Sequence, residues 1–278
     1  MASLHPEFIK FVADFIERET GIQYTSVNAH SLESRLNDIA VSFGFPDPNI
    51  FVHEMKTRGI SPEEREVVLD LATNNETSFF RDMEVFDFFR YEFIPKFTSA
   101  VQPIRIWCAA SSTGQEPYSL SICLAQLRLA GVDRNYEIIA TDISNRVLKQ
   151  ARAAEYTRFE VSRGLTPDMV STFFDSVAGE NTPVPKYKVK PDIARYIYFK
   201  RLNLIEPWSH DKPFDIIFCR NVLIYQDINQ KREVIAKLAK NLQPKGFLVL
   251  GGAESMLGLS NDFESYIHGK ACVYRLKN

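Results

Sequence analysis

The chain has 278 residues, 45% of them hydrophobic and 12% aromatic, which is enough apolar material for one large core beside a smaller one. Its 33 basic and 35 acidic residues nearly cancel, giving a formal charge of -2, so there is no basic surplus of the kind typical of nucleic-acid binders. No apolar run approaches the roughly 18 residues of a membrane span, and the first residues lack the apolar core of a signal peptide, so we expect a cytoplasmic protein without membrane insertion.

The first hundred residues follow a helical pattern. Apolar residues from Phe8 to Ile16 recur every three or four positions, and Gly21 marks the end of that helix. A second helix is predicted from His30 to Phe43. Asp47-Pro48 and Ser61-Pro62 have the residue types that begin a third and a fourth helix, an oxygen-bearing cap followed by proline. We expect a small bundle over residues 1–75, then a linker helix over residues 76–100.

From residue 101 the pattern changes to short apolar runs separated by helical segments. This alternation is typical of an α/β domain, with a parallel sheet covered by helices on both faces. Residues 156–195 contain several prolines and interrupt this alternation of strands and helices. They predict an inserted subdomain that contains a short helix and an antiparallel element. The predicted strands are 104–108, 136–140, 196–199, 214–219, 247–250 and 272–276.

The four cysteines are widely separated in the sequence, and none forms a C-x-x-C pair. Such spacing favours buried apolar cysteines over a disulfide framework or a metal site, and we expect no metal. The cysteines are Cys108, Cys123, Cys219 and Cys272.

Polar residues follow three of the predicted strands, and ligands of parallel sheets bind beyond these carboxyl ends. After the first strand, small residues lead to Glu116, an acid where a pyrophosphate would need N–H donors, so a nucleoside with cationic groups fits better than a dinucleotide. Asp142 ends the second strand and could accept hydrogen bonds from ribose hydroxyls, or cap a helix. Arg220 and Asn221 must line a pocket or face solvent, whereas Tyr225 could do so or simply pack.

Five segments taken together resemble the CheR-type chemotaxis receptor methyltransferases, and the resemblance covers nearly the whole chain. It implies a Rossmann-like sheet dependent on S-adenosylmethionine, an N-terminal all-helical domain, and a small inserted β-subdomain within residues 101–278. The segments are N-E-T-S-F-F-R-D at 75–82, S-T-G-Q-E-P-Y-S at 112–119, A-T-D-I at 140–143, N-L at 203–204 and F-D-I-I-F-C-R-N-V-L-I-Y at 214–225.

The resemblance also implies an activity and a site. The activity is methyl transfer from S-adenosylmethionine to glutamate side chains in the cytoplasmic domain of chemoreceptors, with Arg81 and Tyr225 beside the transferred methyl group. A glutamate is already an anion at neutral pH, with a pKa near ~4.3, so the reaction needs no general base. The implied cofactor contacts are Asn75, Thr77, Arg81, Glu116, Asp142, Asn203, Leu204, Arg220 and Asn221.

Two features depart from the family pattern. The second helix, which is often strongly basic in relatives and meets the receptor, carries Arg35 as its only permanent cation, against Glu33 and Asp38. The insertion, which can hold a C-terminal receptor pentapeptide in relatives, has prolines in the corresponding turn at 178–185, and proline blunts a sheet edge. Substitute cations for receptor docking are Lys56, Arg58, Lys186, Lys188 and Lys190.

Two alternative functions remain open. A methyltransferase of another substrate is the first, although the N-P-P-Y and Pro-Cys signatures of nucleic-acid enzymes are missing from the sequence. A non-catalytic adaptor that binds cofactor and receptor is the second, and the presence of both Arg81 and Tyr225 disfavours it.

Overall fold

The computed structural model describes residues 4–24, 29–96, 102–177 and 185–277. Its N-terminal region consists of four helices that share a core of their own, built from residues such as Ile16, Leu36 and Phe51. None of the helices in these ranges has the length and apolar content needed to cross a bilayer. The four helices are α1 (Pro6–Thr20), α2 (Ala29–Ser42), α3 (Pro48–Arg58) and α4 (Pro62–Ala72).

The predicted signals do begin and end these helices. Gly21 caps α1 with a φ of 73°, a left-handed conformation that glycine adopts without a steric penalty. Asp47 caps α3 through its side chain, and Ser61 with Glu64 forms a capping box at the start of α4. Local chemistry is therefore sufficient to place the helix ends.

A seven-stranded sheet forms the larger part of the molecule, in the order β6-β2-β1-β7-β8-β10-β9. The first five strands in this order run parallel, whereas β10 pairs antiparallel with both β8 and β9. The strands are β1 (Ile104–Cys108), β2 (Tyr136–Asp142), β6 (Ile197–Arg201), β7 (Phe214–Cys219), β8 (Leu242–Leu250), β9 (Phe263–His268) and β10 (Ala271–Leu276), and the main covering helices are α6 (Gln115–Leu129), α7 (Asn145–Ala153) and α11 (Ile228–Lys240).

The sheet is thus mixed: five strands run parallel as the alternation predicts, and β10 and β9 extend the sheet in antiparallel orientation at one edge. The strand β9 was not predicted because only Phe263 in it is buried, so the sequence there shows no apolar run. Cys272 also differs from the prediction. It lies in an apolar stretch, yet it is exposed. The other three cysteines are buried as predicted.

The insertion forms a second, three-stranded antiparallel sheet in the order β3-β5-β4. Its elements are β3 (Glu155–Thr157), α8 (Arg158–Ser162), α9 (Pro167–Phe173), β4 (Phe174–Val177), β5 (Lys186–Val189) and α10 (Pro191–Ala194). The expected short helix and antiparallel element are both present. Most of the turn at 178–185, which the resemblance relates to peptide docking, lies outside the described residues.

The segment expected to be a linker helix packs tightly onto the large sheet. It contains α5 (Met83–Phe88), one π-helical turn (Phe89–Phe93) and one 3₁₀ turn (Ile94–Lys96). Its phenylalanines belong to the same core as β1 and α6, because their rings cover that face of the sheet. The buried rings are Phe79, Phe80, Phe86, Phe88, Phe89 and Phe93.

Candidate functional site

A cleft lies beyond the carboxyl ends of the parallel strands, under the C-terminal ends of α1 and α4. It holds about 960 Å³ of space between atoms, counted out to its open mouth. All ten residues singled out from the sequence line it. They are Asn75, Thr77, Arg81, Glu116, Asp142, Asn203, Leu204, Arg220, Asn221 and Tyr225.

Asp142 is the buried acid at the end of β2. One carboxylate oxygen accepts a hydrogen bond from the backbone N–H of Ser112 at 2.8 Å, and the other accepts one from Ser144 at 3.0 Å. Burial raises the pKa of Asp142, although these backbone bonds oppose part of the rise. A carboxylate has about four lone-pair positions, so acceptor capacity remains for a ligand in the cleft.

The turn after β1 brings the backbone close to the cleft through small residues. Ala109, Ala110 and Ser112 line it, and Gly114 turns the chain into α6 with a φ of 96°. Glu116, in the first turn of α6, accepts a hydrogen bond from Nη1 of Arg220 at 2.8 Å. Glu116 is therefore half of an ion pair and not the unpaired anion that the sequence suggested. A carboxylate at this helix N-terminus leaves no free N-terminal site for a phosphate.

Arg220 is nearly inaccessible, with 3% of its side chain exposed, because it bridges two acids. Besides Glu116, it donates from Nη2 to the Asp82 carboxylate and to the carbonyl oxygen of Arg81, the latter at 2.8 Å. Burial alone would lower the pKa of Arg220, but the two carboxylates raise it above its ordinary value. The guanidinium thus connects the turn before α5 to the start of α6.

The loop after β7 is held in place by one side chain that the sequence analysis did not identify. The carboxylate of Glu254 accepts from the backbone N–H groups of Gly251 at 2.7 Å, Asn221 at 2.8 Å, Val222 at 3.0 Å and Ile224 at 3.3 Å. Asn221 has a φ of 59°. A Cβ at Gly251 would lie 2.6 Å from Nδ2 of Asn221, so this close approach requires glycine.

Tyr225 and Arg81 are half-buried residues of the cleft wall. The Tyr225 hydroxyl accepts from Nδ2 of Asn74 at 3.1 Å, and its carbonyl oxygen accepts from the N–H of Gln23 at 2.9 Å. Arg81 donates from Nη1 to the Glu76 carbonyl oxygen at 3.2 Å. Within the described residues it forms no ion pair, which leaves its remaining N–H groups for a ligand.

Asn203 and Leu204 line the far end of the cleft, after β6. The amide nitrogen of Asn203 donates to the Glu19 carbonyl oxygen at 2.8 Å, so this side chain ties the loop to the end of α1. Leu204 belongs to the core behind the sheet. In the segment before α5, the carbonyl oxygen of Asn75 accepts from the Ser112 hydroxyl at 2.8 Å.

The sequence analysis missed several other residues of the site. Thr20, Ile22 and Asn74 come from the helical region, and no local pattern in the sequence predicts that a helix end lies over a sheet formed by later residues. Glu254 had a detectable signal, because Gly251-Gly252-Ala253-Glu254 repeats after β8 the small residues and acid that follow β1. Gln226 also lines the cleft.

The polar groups of the cleft suit an adenosyl amino acid. The Asp142 carboxylate can accept from sugar hydroxyls, while Glu116 and Arg220 can pair with an ammonium and a carboxylate. Two buried atoms of cleft residues, Nε of Arg220 and Oε1 of Gln226, have no hydrogen-bond partner in the described part of the chain. The described residues lining the cleft include no histidine or cysteine.

Comparisons with known proteins agree with this chemistry. Residues 75–271 match the family model described as CheR methyltransferase, SAM binding domain. A chemotaxis protein methyltransferase from Vibrio parahaemolyticus is 36% identical over 265 residues, which cover 95% of this chain and 94% of that protein. Chemotaxis protein methyltransferase 1 from Pseudomonas aeruginosa is 33% identical over 270 residues, 95% of each chain. The chain therefore belongs to the CheR family of S-adenosylmethionine-dependent methyltransferases.

Proposed function

We propose that this protein transfers the methyl group of S-adenosylmethionine to glutamate side chains of chemoreceptors, in the cytoplasm. The observation that carries the proposal is one cleft that contains an acid suited to the ribose at one strand end, a tyrosine, and an arginine that has no acidic partner within the described residues. Asp142 is the acid, and Tyr225 and Arg81 are the tyrosine and the arginine.

The cofactor would be held along the strand ends. Asp142 would accept hydrogen bonds from the ribose hydroxyls, and the Glu116–Arg220 pair would bind the ammonium and the carboxylate of the methionine part. Leu204 and the backbone of Asn203 line the wall around the base, since the Asn203 side chain is engaged with α1. Asn75, Thr77 and Asn221 complete the enclosure. When bound, S-adenosylmethionine supplies an electrophilic methyl group on a positively charged sulfur.

The remaining contribution of the protein to the reaction is to align the glutamate carboxylate with the methyl group and to exclude water. The glutamate carboxylate is ionised at neutral pH, so no group in the cleft has to remove a proton from it. Arg81 can grip one carboxylate oxygen through its N–H groups, and Tyr225 can donate its hydroxyl hydrogen to the same carboxylate. Orientation of this kind can lower a barrier by roughly 7–11 kcal/mol in favourable cases. The absence of histidine and cysteine from the described residues of the cleft fits a reaction that needs no base.

Docking of a receptor on α2 has little support from its charges. Arg35 hydrogen-bonds to Tyr24, and Glu33 accepts from the backbone N–H of Leu4 at 2.7 Å. Most of the substitute cations are also engaged: Lys56 pairs with Glu7, Arg58 with Glu64, and Lys188 with Glu155, while Lys190 donates to backbone carbonyl groups. Lys186 is exposed and makes no polar contact in the described ranges. Binding of a receptor pentapeptide at the insertion is a separate proposal, and titration of the protein with such a peptide tests it.

The decisive experiment is methyl transfer from radiolabelled S-adenosylmethionine to purified receptor fragments. Base-labile label on glutamate is expected, because a methyl ester hydrolyses in alkali. Label that resists base, or that appears on another substrate, would favour a methyltransferase of different specificity. Tight cofactor binding without any transfer would favour the non-catalytic adaptor.

A further inference from the structure

The edge of the cleft lies in the segment before α5. Among the described residues that line the cleft, Asn74 and Glu76 are the two exposed ones, so they stand at its edge. The Tyr225 hydroxyl accepts a hydrogen bond from Asn74. Arg81 donates to the carbonyl oxygen of Glu76. A glutamate of a protein substrate must therefore pass this edge to reach Arg81 and Tyr225.

The insertion supplies a second arginine at the same edge. Nη2 of Arg163 donates to the Glu76 carboxylate at 3.0 Å, and the two side chains are 42% and 63% exposed. Arg163 directly follows α8, and a Cβ at the next residue, Gly164, would lie 1.8 Å from the carbonyl oxygen of Phe79. The turn after α8 thus lies directly against the segment 75–82, so the backbone of Arg163 is held beside the cleft.

The two arginines contact opposite ends of one residue. Arg81 holds the backbone carbonyl of Glu76 and Arg163 holds its carboxylate, so one glutamate and two hydrogen bonds span both guanidinium groups. The guanidinium carbon of Arg163 also lies 5.8 Å from the ring centroid of Phe159, which is exposed. An arginine beside an exposed aromatic ring is a combination that is enriched where proteins bind one another.

We propose that Arg163 binds a second acidic side chain of the receptor, close in space to the glutamate that is methylated, and that Phe159 packs against the same receptor segment. The inference rests on the proposed function, in which Arg81 binds the reacting carboxylate. An arginine that already holds a carboxylate is complementary to an acidic partner. In the free protein Glu76 takes the place of the receptor acid, and the exchange of one carboxylate for the other selects substrates with clustered acids.

The test is steady-state methylation of a purified receptor fragment, together with calorimetry of S-adenosylhomocysteine binding. Arg163→Ala is expected to raise KM for the fragment about two- to five-fold, the effect of one exposed ion pair, and to change kcat and S-adenosylhomocysteine affinity by less. Glu76→Gln is expected to lower KM, because it releases Arg163 from its internal partner. In the Arg163→Ala background the same change is expected to lower KM by less. If the ion pair only stabilised the fold, both single variants would be impaired.

The far end of α6 provides a matched control. Arg128 pairs there with Asp133 at 2.7 Å, the two side chains are 47% and 70% exposed, and the neighbouring Leu129 is exposed. α6 starts at the cleft, and its 15 residues at roughly 1.5 Å each place its far end about 20 Å away. Arg128→Ala and Leu129→Ala are therefore expected to keep the wild-type KM, whereas Phe159→Ala is expected to raise it.

A receptor fragment in which the acids nearest the modified glutamate are changed to amides tests the chemistry of the partner. Wild-type protein is expected to methylate it with the raised KM of Arg163→Ala, and Arg163→Ala is expected to have the same KM for both fragments. A KM for Arg163→Ala equal to that of Arg128→Ala, or a parallel loss of S-adenosylhomocysteine affinity, would overturn the inference while leaving the proposed function intact. Wild-type protein that methylates no receptor fragment would overturn the proposed function as well.

Discussion

Tyr225 and Arg81 line the cleft with polar groups that are not committed to another charged residue of the described chain. We expect Tyr225→Phe and Arg81→Ala to lower turnover about ten-fold or more, and to change S-adenosylhomocysteine affinity by less, because we propose that both groups act on the attacking carboxylate. Arg81→Lys is a useful comparison, since it keeps the charge and loses the planar fork. Methyl transfer under saturating cofactor, together with calorimetry, provides the measurement. Unchanged turnover in both variants would remove the pair from the mechanism.

We expect Asp142, as the proposed ribose ligand, to make cofactor binding sensitive to acid. Its burial raises its pKa, and only the ionised form can accept bonds from two ribose hydroxyls as well as two backbone N–H groups. Affinity is therefore present above the raised pKa and is lost as pH falls through it, which begins at a higher pH than the ordinary aspartate value of about 3.9 would give.

Titrations at a series of pH values check this dependence, with Asp142→Ala as the reference. The variant is expected to bind S-adenosylhomocysteine at least ten-fold more weakly and to show a flatter pH profile. A profile identical to that of the wild type would contradict the ribose assignment.

At the scale of the element, the loop after β7 depends on Glu254. Four backbone N–H groups converge on its carboxylate, and an amide at this position can accept on only one of its two atoms. Glu254→Gln is expected to lower the free energy of unfolding by about 1–3 kcal/mol and turnover by about ten-fold, since the loop carries Tyr225.

Chemical unfolding and steady-state kinetics measure the two effects separately. Glu233→Gln is the matched control, because Glu233 is exposed on α11 and has no ion-pair partner within the described residues. If Glu254→Gln kept full turnover, the loop would not need this anchor.

At the scale of the whole molecule, several polar contacts join the helical region to the sheet domain. Glu66 on α4 pairs with Arg201 at 2.9 Å and accepts from Asn145 at 2.9 Å, and Asp70 lies 3.7 Å from Arg146. The helices have a separate apolar core. Such an interface is weakly held, because exposed ion pairs each contribute only about 0.2–1 kcal/mol and are screened by salt.

We therefore expect Glu66→Ala to weaken S-adenosylhomocysteine binding two- to five-fold, roughly the effect of one lost surface pair, and to reduce its dependence on salt. Glu63→Ala is the control, since Glu63 is exposed on the same helix and has no ion-pair partner in the described ranges. Calorimetry at low and high ionic strength distinguishes the two variants. If cofactor affinity depended equally on salt in the wild type and in Glu66→Ala, these ion pairs would not be what holds the helical region against the sheet.

Much of the fold could be predicted from local sequence. The helix ends at Gly21, Asp47 and Ser61 depend on backbone chemistry within one turn, and the parallel strands are continuous apolar runs because both faces of the sheet are covered. The edge strand β9 was missed for the opposite reason, since its residues are mostly exposed. The residues of the site were found through motif resemblance, which placed them on one cleft without showing what each side chain contacts.

By itself, the sequence determined the alternation of elements, the insertion, and the acids and arginines that follow the strands. Only the tertiary structure decided that Glu116 is neutralised by Arg220, that the Asn203 side chain binds α1, and that Glu254 anchors the loop of Tyr225. The physical reason is the separation along the chain over which each kind of interaction acts. Caps and periodicity act over a few residues, whereas each of these contacts joins residues 33 to 184 positions apart, and folding alone brings such residues together.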